Sequence, residues 1–425
     1  MPGRTDAMSR LYAEYELETP LDLPHTAAVI AGEQSSGTFL KIEGETEALK
    51  VAHGARIESI VETGRSDKPA LPCRMKGEIY TRGRIRLSWP MENIGPSLPN
   101  TLATVAGNLF ELREVSALRL LDITFPDDFA KAYPGPAAGI AGTRKLAGVE
   151  RGPLIGTIIK PSVGLDPEAT AALVKKLSQG GIDFIKDDEL QANGPHCPLE
   201  ARVKAVMRVL NDHAERTGKK PMYAFNITGE IDEMKRGADL VREAGGTCVM
   251  VGIHSVGLPG VAALRRHTDL PIHGHRNGWG LYSRSPDIGI SFIAWQKFWR
   301  IAGVDHLHVN GLRNKFSEDG ASSIASAKEC LAPLFDGGRD YVAMPVFSSG
   351  QSAEQIEDTY AALRSTDLIY CAGGGIMGHP QGIAGGIASL REGWQAAAEG
   401  ISLDEYAKSH PALAAAIGAF RSRLA

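Results

Sequence analysis

From residue 155 onward, the sequence alternates eight times between a short apolar run and an amphipathic segment. The first apolar run, Ile155–Pro161, is followed by Asp166, Pro167 and Glu168, which suit the N-cap, first position and first turn of a helix ending near Gln179. Eight strand–helix units in about 245 residues match a (β/α)8 TIM barrel in number and size. An open doubly wound sheet is the alternative, but eight units favour closure.

The predicted barrel strands share an apolar, β-branched composition and are bounded by glycine or polar residues. They are Ile155–Pro161, Asp183–Glu189, Met222–Thr228, Cys248–His254, Pro271–Asn277, His306–Gly311, Tyr341–Phe347 and Leu368–Gly375. The helix after the fifth strand is predicted over Ile288–Ala302, and the helix after the eighth over Gly382–Glu399. The sequence therefore predicts an α/β fold whose barrel ends in a helical tail from Leu403.

The first 130 or so residues lack this regular alternation, which indicates a separate α+β domain. Arg10–Glu18 and Ile79–Trp89 are predicted as strands, and His25–Gly32 and Thr101–Phe110 as helices. A stretch rich in Pro, Gly and Ala, Ala132–Gly142, then suits a linker. We therefore predict two domains, residues 1–135 and residues 136–425.

Composition excludes several classes of protein. The chain has 425 residues, of which 43% are hydrophobic, and its net charge is −4. It therefore lacks the basic field that binds nucleic acid or an anionic membrane. Its five cysteines form no CxxC pair, so neither a zinc knuckle nor a disulfide framework is expected. The N-terminal residues carry mixed charges and no apolar core of a signal peptide, so a cytoplasmic location is expected.

Reactive residues cluster where the predicted strands end, which is where barrel enzymes carry their chemistry. They include Lys160, Lys186-Asp187-Asp188-Glu189, Asn226, His254, His273, His275, Arg276, His306, His308 and Ser348. Any one of them alone could be a solvated loop residue or a buried structural group. Their accumulation at all the strand ends indicates an enzyme.

Adjacent carboxylates at the second strand end point to a cation. Asp187, Asp188 and Glu189 repel one another unless a positive charge is present, and Mg²⁺ prefers such oxygen ligands. Lys186 and Asp188 lie on the same side of the strand by alternation. Lys186 either neutralises the cluster through a salt bridge or takes part as a neutral or carbamylated amine.

Glycines after the last two strands indicate a phosphate site. Gly373-Gly374-Gly375 and Gly350 remove the Cβ atoms that would keep backbone N–H groups away from an anion. A simple tight turn is the alternative for the triple glycine. Arg276 is a second candidate anion ligand.

Taken together, these motifs resemble those of the ribulose-bisphosphate carboxylase (RuBisCO) large-subunit superfamily. The resemblance rests on Gly156–Pro161, Gly181–Glu189 and Gly373–Pro380 in the barrel, and on Glu33–Thr38 and Gly107–Phe110 before it. It implies a barrel preceded by a small α+β (ferredoxin-like) domain. It also implies a homodimer in which each active site combines the barrel of one subunit with the N-terminal domain of the other.

The resemblance assigns a role to each matching residue. Lys186 matches the lysine that takes up CO₂ as a carbamate (N6-carboxylysine), and Asp188 and Glu189 match its fellow Mg²⁺ ligands. Lys160 matches the lysine that moves a proton, Lys315 the mobile-loop lysine, and His275 and His308 the active-site histidines. Arg276, Ser348, Gly350, Gly373, Gly374 and Thr38 match phosphate-site residues, and Glu33 and Asn108 those contributed across the dimer.

Departures from the carboxylase pattern are equally informative. Ser162 replaces a second lysine, Trp279 a histidine and Val309 a serine, and the sequence around Lys315 differs. One phosphate site is thus partly dismantled, while the metal set is complete. The pattern resembles a form IV RuBisCO-like protein that does not carboxylate ribulose bisphosphate.

The retained residues suit an enediolate next to a phosphorylated carbon. The resemblance favours decarboxylation of 3-oxo-isoapionate 4-phosphate, a sugar acid of apiose catabolism, to L-erythrulose 1-phosphate and CO₂, because Lys315 can hold a carboxylate. The alternatives are transcarboxylation and hydrolysis of the same substrate, or enolisation or isomerisation of methylthio-sugar phosphates in methionine salvage. A non-catalytic sugar-phosphate-binding relative is a further alternative, against which the complete metal set argues.

Overall fold

The computed structural model describes residues 9–37, 42–335 and 340–421. Its strands, in chain order, are β1 (Arg10–Thr19), β2 (Arg56–Ser66), β3 (Tyr80–Pro90), β4 (Ala117–Thr124), β5 (Leu154–Ile158), β6 (Phe184–Lys186), β7 (Met222–Asn226), β8 (Cys248–Gly252), β9 (Ile272–His275), β10 (Ile288–Ile290), β11 (His306–Asn310), β12 (Met344–Phe347) and β13 (Ile369–Cys371).

The helices are interspersed among these strands. They are α1 (Leu23–Glu33), α2 (Glu47–His53), α3 (Met91–Ile94), α4 (Leu98–Ala106), α5 (Asp128–Ala132), α6 (Gly139–Ala147), α7 (Pro167–Gln179), α8 (Leu199–Thr217), α9 (Ile231–Glu243), α10 (Ile253–His267), α11 (Gly280–Ser283), α12 (Phe292–Ala302), α13 (Gly320–Leu331), α14 (Ile356–Leu363), α15 (Gly373–Met377), α16 (Gly382–Glu399), α17 (Leu403–Ala407) and α18 (Pro411–Phe420), with 3₁₀ turns at Asn108–Glu111 and Ala353–Gln355.

The chain divides into two compact units. The first comprises the described parts of residues 1–133, 278–298 and 334–340, and the second those of residues 134–277, 299–333 and 341–425. The first unit is built on a sheet with the strand order β10-β4-β1-β3-β2. Strand β1 alternates buried Leu11, Ala13, Tyr15 and Leu17 with more exposed residues, so one face of the sheet packs against the unit's core.

The second unit is a closed parallel barrel, as the sequence predicts. In the described part of the chain, its strands follow the order β5-β6-β7-β8-β9-β11-β12-β13, and β13 pairs with β5 to close the ring. The interior is filled by side chains such as Phe184, Met222, Met250 and Val346. Because the strands are parallel, all their carboxyl ends lie at one rim, which is where the site residues lie.

Several predicted boundaries are wrong. The predicted helix Ile288–Ala302 begins with β10, which pairs in parallel with β4, and the helix starts only at Phe292. The predicted strand Leu368–Gly375 ends at Cys371, and Gly373 begins the short helix α15. Thr101–Phe110 is split between α4 and a 3₁₀ turn, and β2 and β4 were not predicted. Strand β10 forms because it pairs with the distant strand β4, and a local sequence pattern carries no information about that pairing.

The state of the cysteines and the character of the helices can also be compared with the expectations from composition. All five cysteines are free, and Cys197, Cys248, Cys330 and Cys371 are buried. The inner cysteines, Cys248 and Cys371, pack as small apolar side chains in the barrel core. Among the described residues, no helix has both the length and the apolar character needed to cross a membrane.

Candidate active site at the carboxyl ends of the barrel strands

Lysines and carboxylates meet where β5 and β6 end. Lys160 donates from Nζ to Asp188 Oδ2 at 2.7 Å and to Ser162 Oγ at 2.8 Å. The Lys186 ammonium is only 1% exposed and lies 3.6 Å from Glu189 Oε2, while it donates to the Asp187 carbonyl at 2.8 Å. The structure therefore brings together Lys160, Lys186, Asp188 and Glu189, four of the charged residues that the sequence singles out.

Burial and charge shift the pKa values of this group. Burial lowers the pKa of Lys186, and Glu189 opposes that shift only in part. Burial raises the pKa of Asp188, but the hydrogen bonds from Lys160, the Leu190 backbone and Ser162, together with the Lys160 charge, outweigh it and lower the pKa overall. Lys186 is thus a buried amine whose proton is held less firmly than that of a free lysine.

Asp187 faces away from this group. Its carboxylate is 1% exposed, accepts from Arg202 Nε at 3.1 Å and from the Tyr223 hydroxyl at 2.5 Å, and is also bonded by the Asn226 backbone N–H at 2.8 Å. The side-chain amide of Asn226 in turn donates to the carbonyls of Asp188 and Glu189 at 3.1 and 3.2 Å. Arg202 therefore neutralises one of the three adjacent carboxylates, and Asn226 holds the backbone of the other two.

Imidazoles connect the carboxylates to β12. His275 Nε2 lies 3.4 Å from Glu189 Oε2, and the rings of His275 and His308 are 4.4 Å apart. His308 is 2.8 Å from His273 through the two Nε2 atoms, and its Nδ1 lies 3.0 Å from Ser348 Oγ. Burial lowers the pKa of each of the three histidines, so they are neutral near pH 7. His273, which the sequence already places among the residues at the strand ends, lies on the same strand face as His275, two residues later.

Arg276 is engaged by a carboxylate. It is 5% exposed and its guanidinium pairs with Glu318, which also accepts from Asn310 Nδ2 at 2.6 Å. Asn310 Oδ1 accepts from Ser349 at 2.9 Å. Nothing in the local sequence around Glu318 indicates this pairing, because Arg276 lies 42 residues earlier.

A cavity of about 550 Å³ opens beside the last two strands. Its lining includes Lys315, Gly350 and Gly374, and none of the described residues that line it is acidic. Gly350 has φ +92°, and a Cβ there would lie 3.9 Å from the Lys315 backbone nitrogen. A Cβ on Gly373 would lie 4.0 Å from Lys160 Cε. A Cβ on Gly375 would come within 2.8 Å of the Gln351 carbonyl, so this close approach requires glycine.

The remaining predicted residues belong to the first unit. Glu33 ends α1 and Asn108 begins the 3₁₀ turn, and both side chains are exposed. With its amide in the swapped orientation, Gln34 accepts from the Asn108 backbone N–H at 3.2 Å, so the two segments are neighbours. Thr38 lies outside the described residues.

The donor set fits Mg²⁺ only if Lys186 is modified. In the described residues, no three His, Cys, Asp or Glu side chains gather around one point. As it stands, the set holds two carboxylates and two ammonium groups. Uptake of CO₂ by Lys186 would replace an ammonium with an anionic oxygen ligand beside Asp188 and Glu189, which is the chemistry that Mg²⁺ prefers.

Comparison with known families settles the ancestry of this arrangement. The catalytic-domain model of the ribulose bisphosphate carboxylase large chain matches residues 139–420, and the N-terminal-domain model matches residues 5–129. The chain belongs to the RuBisCO large-chain family. Its members generally use Mg²⁺ and a lysine carbamate.

Relatives within the RuBisCO family differ in activity. The chain is 58% identical to a 3-oxo-isoapionate-4-phosphate transcarboxylase/hydrolase of Xanthobacter autotrophicus, over 97% of this chain and 99% of that protein. It is 42% identical to a 3-oxo-isoapionate-4-phosphate decarboxylase of Rhizobium etli, over 96% and 97%. These relatives are RuBisCO-like enzymes and not classical carboxylases.

A solved structure of the RuBisCO family has the same fold. The crystal structure of a rubisco-like protein from Burkholderia fungorum matches with a TM-score of 0.91 and 45% identity, covering 97% of this chain and 100% of that one. A RuBisCO from Hyperthermus butylicus, 28% identical with a TM-score of 0.83 over 97% of this chain and 96% of that one, is dimeric. Related members of the family therefore form oligomers.

Proposed function

We propose that the chain is a RuBisCO-like enzyme that cleaves a carbon–carbon bond of 3-oxo-isoapionate 4-phosphate. The observation that carries this proposal is the shared substrate of two relatives that match nearly the whole chain, one 58% and one 42% identical. The lysine–carboxylate group beside an acid-free, glycine-lined cavity supports it, because this substrate is an anion at both ends.

The substrate's name defines the chemistry. A 3-oxo acid has its ketone two carbons from the carboxylate, and the 4-phosphate lies on the carbon next to the ketone. Breaking a bond between the ketone and the carboxylate leaves an electron pair that the remaining carbonyl oxygen accepts as an enolate. The enzyme must therefore stabilise an oxyanion, bind the phosphate and supply a proton.

We assign the metal site to Lys186, Asp188 and Glu189. Lys186 would act as a carbamate, and burial favours the neutral amine that reacts with CO₂. When bound, Mg²⁺ supplies Lewis-acid stabilisation of developing negative charge on oxygen. Asn226 fixes the backbone of the two carboxylate residues and so keeps them oriented.

Lysines flank the reacting carbon in this proposal. Lys160, with 42% of its side chain exposed, donates a proton to the carbanion carbon, and its bond to Asp188 keeps it oriented. Lys315, in the lining of the cavity, binds the substrate carboxylate. The neutral imidazoles of His275 and His308 exchange hydrogen bonds with substrate hydroxyls, and Ser348 orients His308.

The phosphate would lie against the backbone of Gly350, Gly373 and Gly374, with Thr38 as a further contact. Arg276 would reach an anion only if Glu318 released its guanidinium.

In a homodimer, Glu33 and Asn108 would complete the active site of the partner subunit. Their exposed side chains on neighbouring segments are consistent with that role.

Two reactions of this substrate are candidates, and they differ in the carbon–carbon bonds that they break. Hydrolysis consumes one water and yields two carboxylic acids, and the 58% identical relative favours it for this chain. Decarboxylation, which the sequence favours, releases CO₂ and yields L-erythrulose 1-phosphate after Lys160 donates its proton. The 42% identical relative and Lys315 support this second candidate.

Substrate labelled with ¹³C at the carboxyl carbon tests the proposal and separates the outcomes. The enzyme is incubated with it, Mg²⁺ and bicarbonate, and the label is followed by NMR. Label in a carboxylic acid product indicates hydrolysis, and label in CO₂ or bicarbonate indicates decarboxylation. If the substrate is not consumed while the folded enzyme is present, the proposed function is wrong.

A further inference from the structure

The Arg276 side chain, which resembles a phosphate ligand of the carboxylase, is already neutralised in this chain. Its buried guanidinium pairs with Glu318, whose side chain is 14% exposed. Glu318 comes from the loop between β11 and α13 that also carries Lys315. The loop therefore brings a negative charge to a point of the rim where an anion would otherwise bind.

The Glu318 carboxylate is firmly held by its neighbours. Oε2 accepts from Asn310 Nδ2 at 2.6 Å, and Oε1 accepts from Ser322 Oγ at 2.9 Å. The Asn314 side chain donates to the Glu318 carbonyl at 3.1 Å and so fixes the loop backbone. A carboxylate with this many donors costs free energy to displace, because it would leave several buried polar groups unpaired.

The backbone conformation of Asn310 also suits its role as a hydrogen-bond donor to Glu318. It has φ +63°, a left-handed conformation that asparagine tolerates better than most residues. Its side-chain oxygen accepts from Ser349, which leaves its amide hydrogens directed toward Glu318. Side chains from the residue after β9 (Arg276), from β11 (Asn310) and from α13 (Ser322) thus converge on one carboxylate.

The other candidate anion site has a different lining. Among the described residues, the cavity beside β12 and β13 is lined by Lys315, by Arg313, whose guanidinium pairs with Asp358, and by no acidic side chain. Around the barrel, β9 and β13 are separated by β11 and β12, so Arg276 and Gly373 occupy different points of the rim. The rim therefore offers one anion site whose lining includes Lys315 and one where the protein's own carboxylate, Glu318, occupies the arginine.

We propose that Glu318 is a specificity-determining residue that occupies Arg276 and restricts the site to substrates with a single phosphate. A second phosphate dianion at Arg276 would meet the Glu318 charge directly, and like charges in a buried site repel strongly. This inference rests on the proposed function, because it concerns which phosphorylated substrates the same site admits.

Binding of two non-reacting probes tests it without turnover. Calorimetric affinities for ribulose 5-phosphate and ribulose 1,5-bisphosphate are compared in wild type, Glu318→Gln, Glu318→Asp and the control Asp232→Asn, whose side chain is exposed. In Glu318→Gln, affinity for the bisphosphate is expected to rise about tenfold relative to the monophosphate, because Arg276 gains a phosphate partner. Glu318→Asp and Asp232→Asn should keep the wild-type ratio.

The double variant Glu318→Gln/Arg276→Gln should return to the wild-type ratio. An unchanged ratio in folded Glu318→Gln, or a gain that persists in the double variant, overturns the inference. Because the probes report binding alone, this result stands apart from turnover of 3-oxo-isoapionate 4-phosphate. A gain in bisphosphate binding without such turnover would contradict the proposed function and leave the role of Glu318 intact.

Discussion

Lys186 has surroundings that disfavour its charged form. The side chain is almost fully buried, and burial lowers the pKa of its amine. In the carbamate reaction, the neutral nitrogen bonds to the carbon of CO₂ and loses one proton to solvent, which gives an anion. Burial therefore favours the proposed reaction, which would put an anionic oxygen ligand in place of the ammonium group.

Asp187 should be essential for stability. Asp187→Asn removes one member of a buried ion pair and leaves Arg202 charged and unpaired, so the variant should lose about 3–5 kcal/mol of unfolding free energy. Urea unfolding checks this, with the exposed Asp232→Asn as control. A loss of less than about 1 kcal/mol would show that the Asp187–Arg202 pair contributes little to the free energy of unfolding.

At the level of single residues, the sequence predicts which residues belong to the charged cluster better than it predicts their hydrogen-bond and ion-pair partners. The KDDE run indicates a charged cluster, and strand alternation predicts that Lys186 and Asp188 share a side. It does not predict that Arg202 and Tyr223 hold Asp187, or that Glu318 holds Arg276, because these partners come from distant segments. The ion pairs that neutralise these buried charges are therefore visible only in the structure.

At the level of elements, local signals located helices well. The Asp166 side chain accepts from the Ala169 backbone N–H, as the predicted N-cap requires, and α7 ends at Gln179 as expected. Glu230 and Glu233 form a capping box at the start of α9. Strand ends were less predictable, because pairing with a neighbour decides where β10 begins and where β13 stops.

Strands β9 and β11 carry buried histidines opposite each other, His273 and His306. Burial lowers the pKa of His306 to about 3, whereas an unfolded chain has a histidine pKa of about 6.5. The unfolded state thus binds the proton first as the pH falls. Stability is full above pH 6.5 and is lost towards pH 3, by up to about 1.4 kcal/mol per pH unit for His306.

Urea unfolding between pH 7.5 and pH 4.5 measures this slope. His306→Gln should reduce it, because the variant has no imidazole at that position to titrate. The control His25→Gln should leave it unchanged, since His25 is exposed on α1. An identical slope in wild type and His306→Gln would contradict the assignment.

For the whole molecule, the regular alternation of apolar and amphipathic segments was sufficient to predict a closed barrel. The number of units sets the architecture, and parallel strands place all their carboxyl ends at one rim. The second sheet was harder to predict. Its strand β10 comes from residues 288–290, far from β1 and β3 in the chain, and only folding brings these segments together.

The most direct test of the account is whether cleavage of 3-oxo-isoapionate 4-phosphate depends on a modified Lys186. Substrate consumption is measured after preincubation with Mg²⁺ and bicarbonate, after treatment with EDTA in CO₂-free buffer, and in Lys186→Ala. The matched control is Lys175→Ala, an exposed lysine on α7. We predict that wild type and the control need both Mg²⁺ and CO₂, and that Lys186→Ala is slower by a factor on the order of a hundred or more. Wild-type activity in folded Lys186→Ala, or full activity without Mg²⁺ and CO₂, would contradict the account.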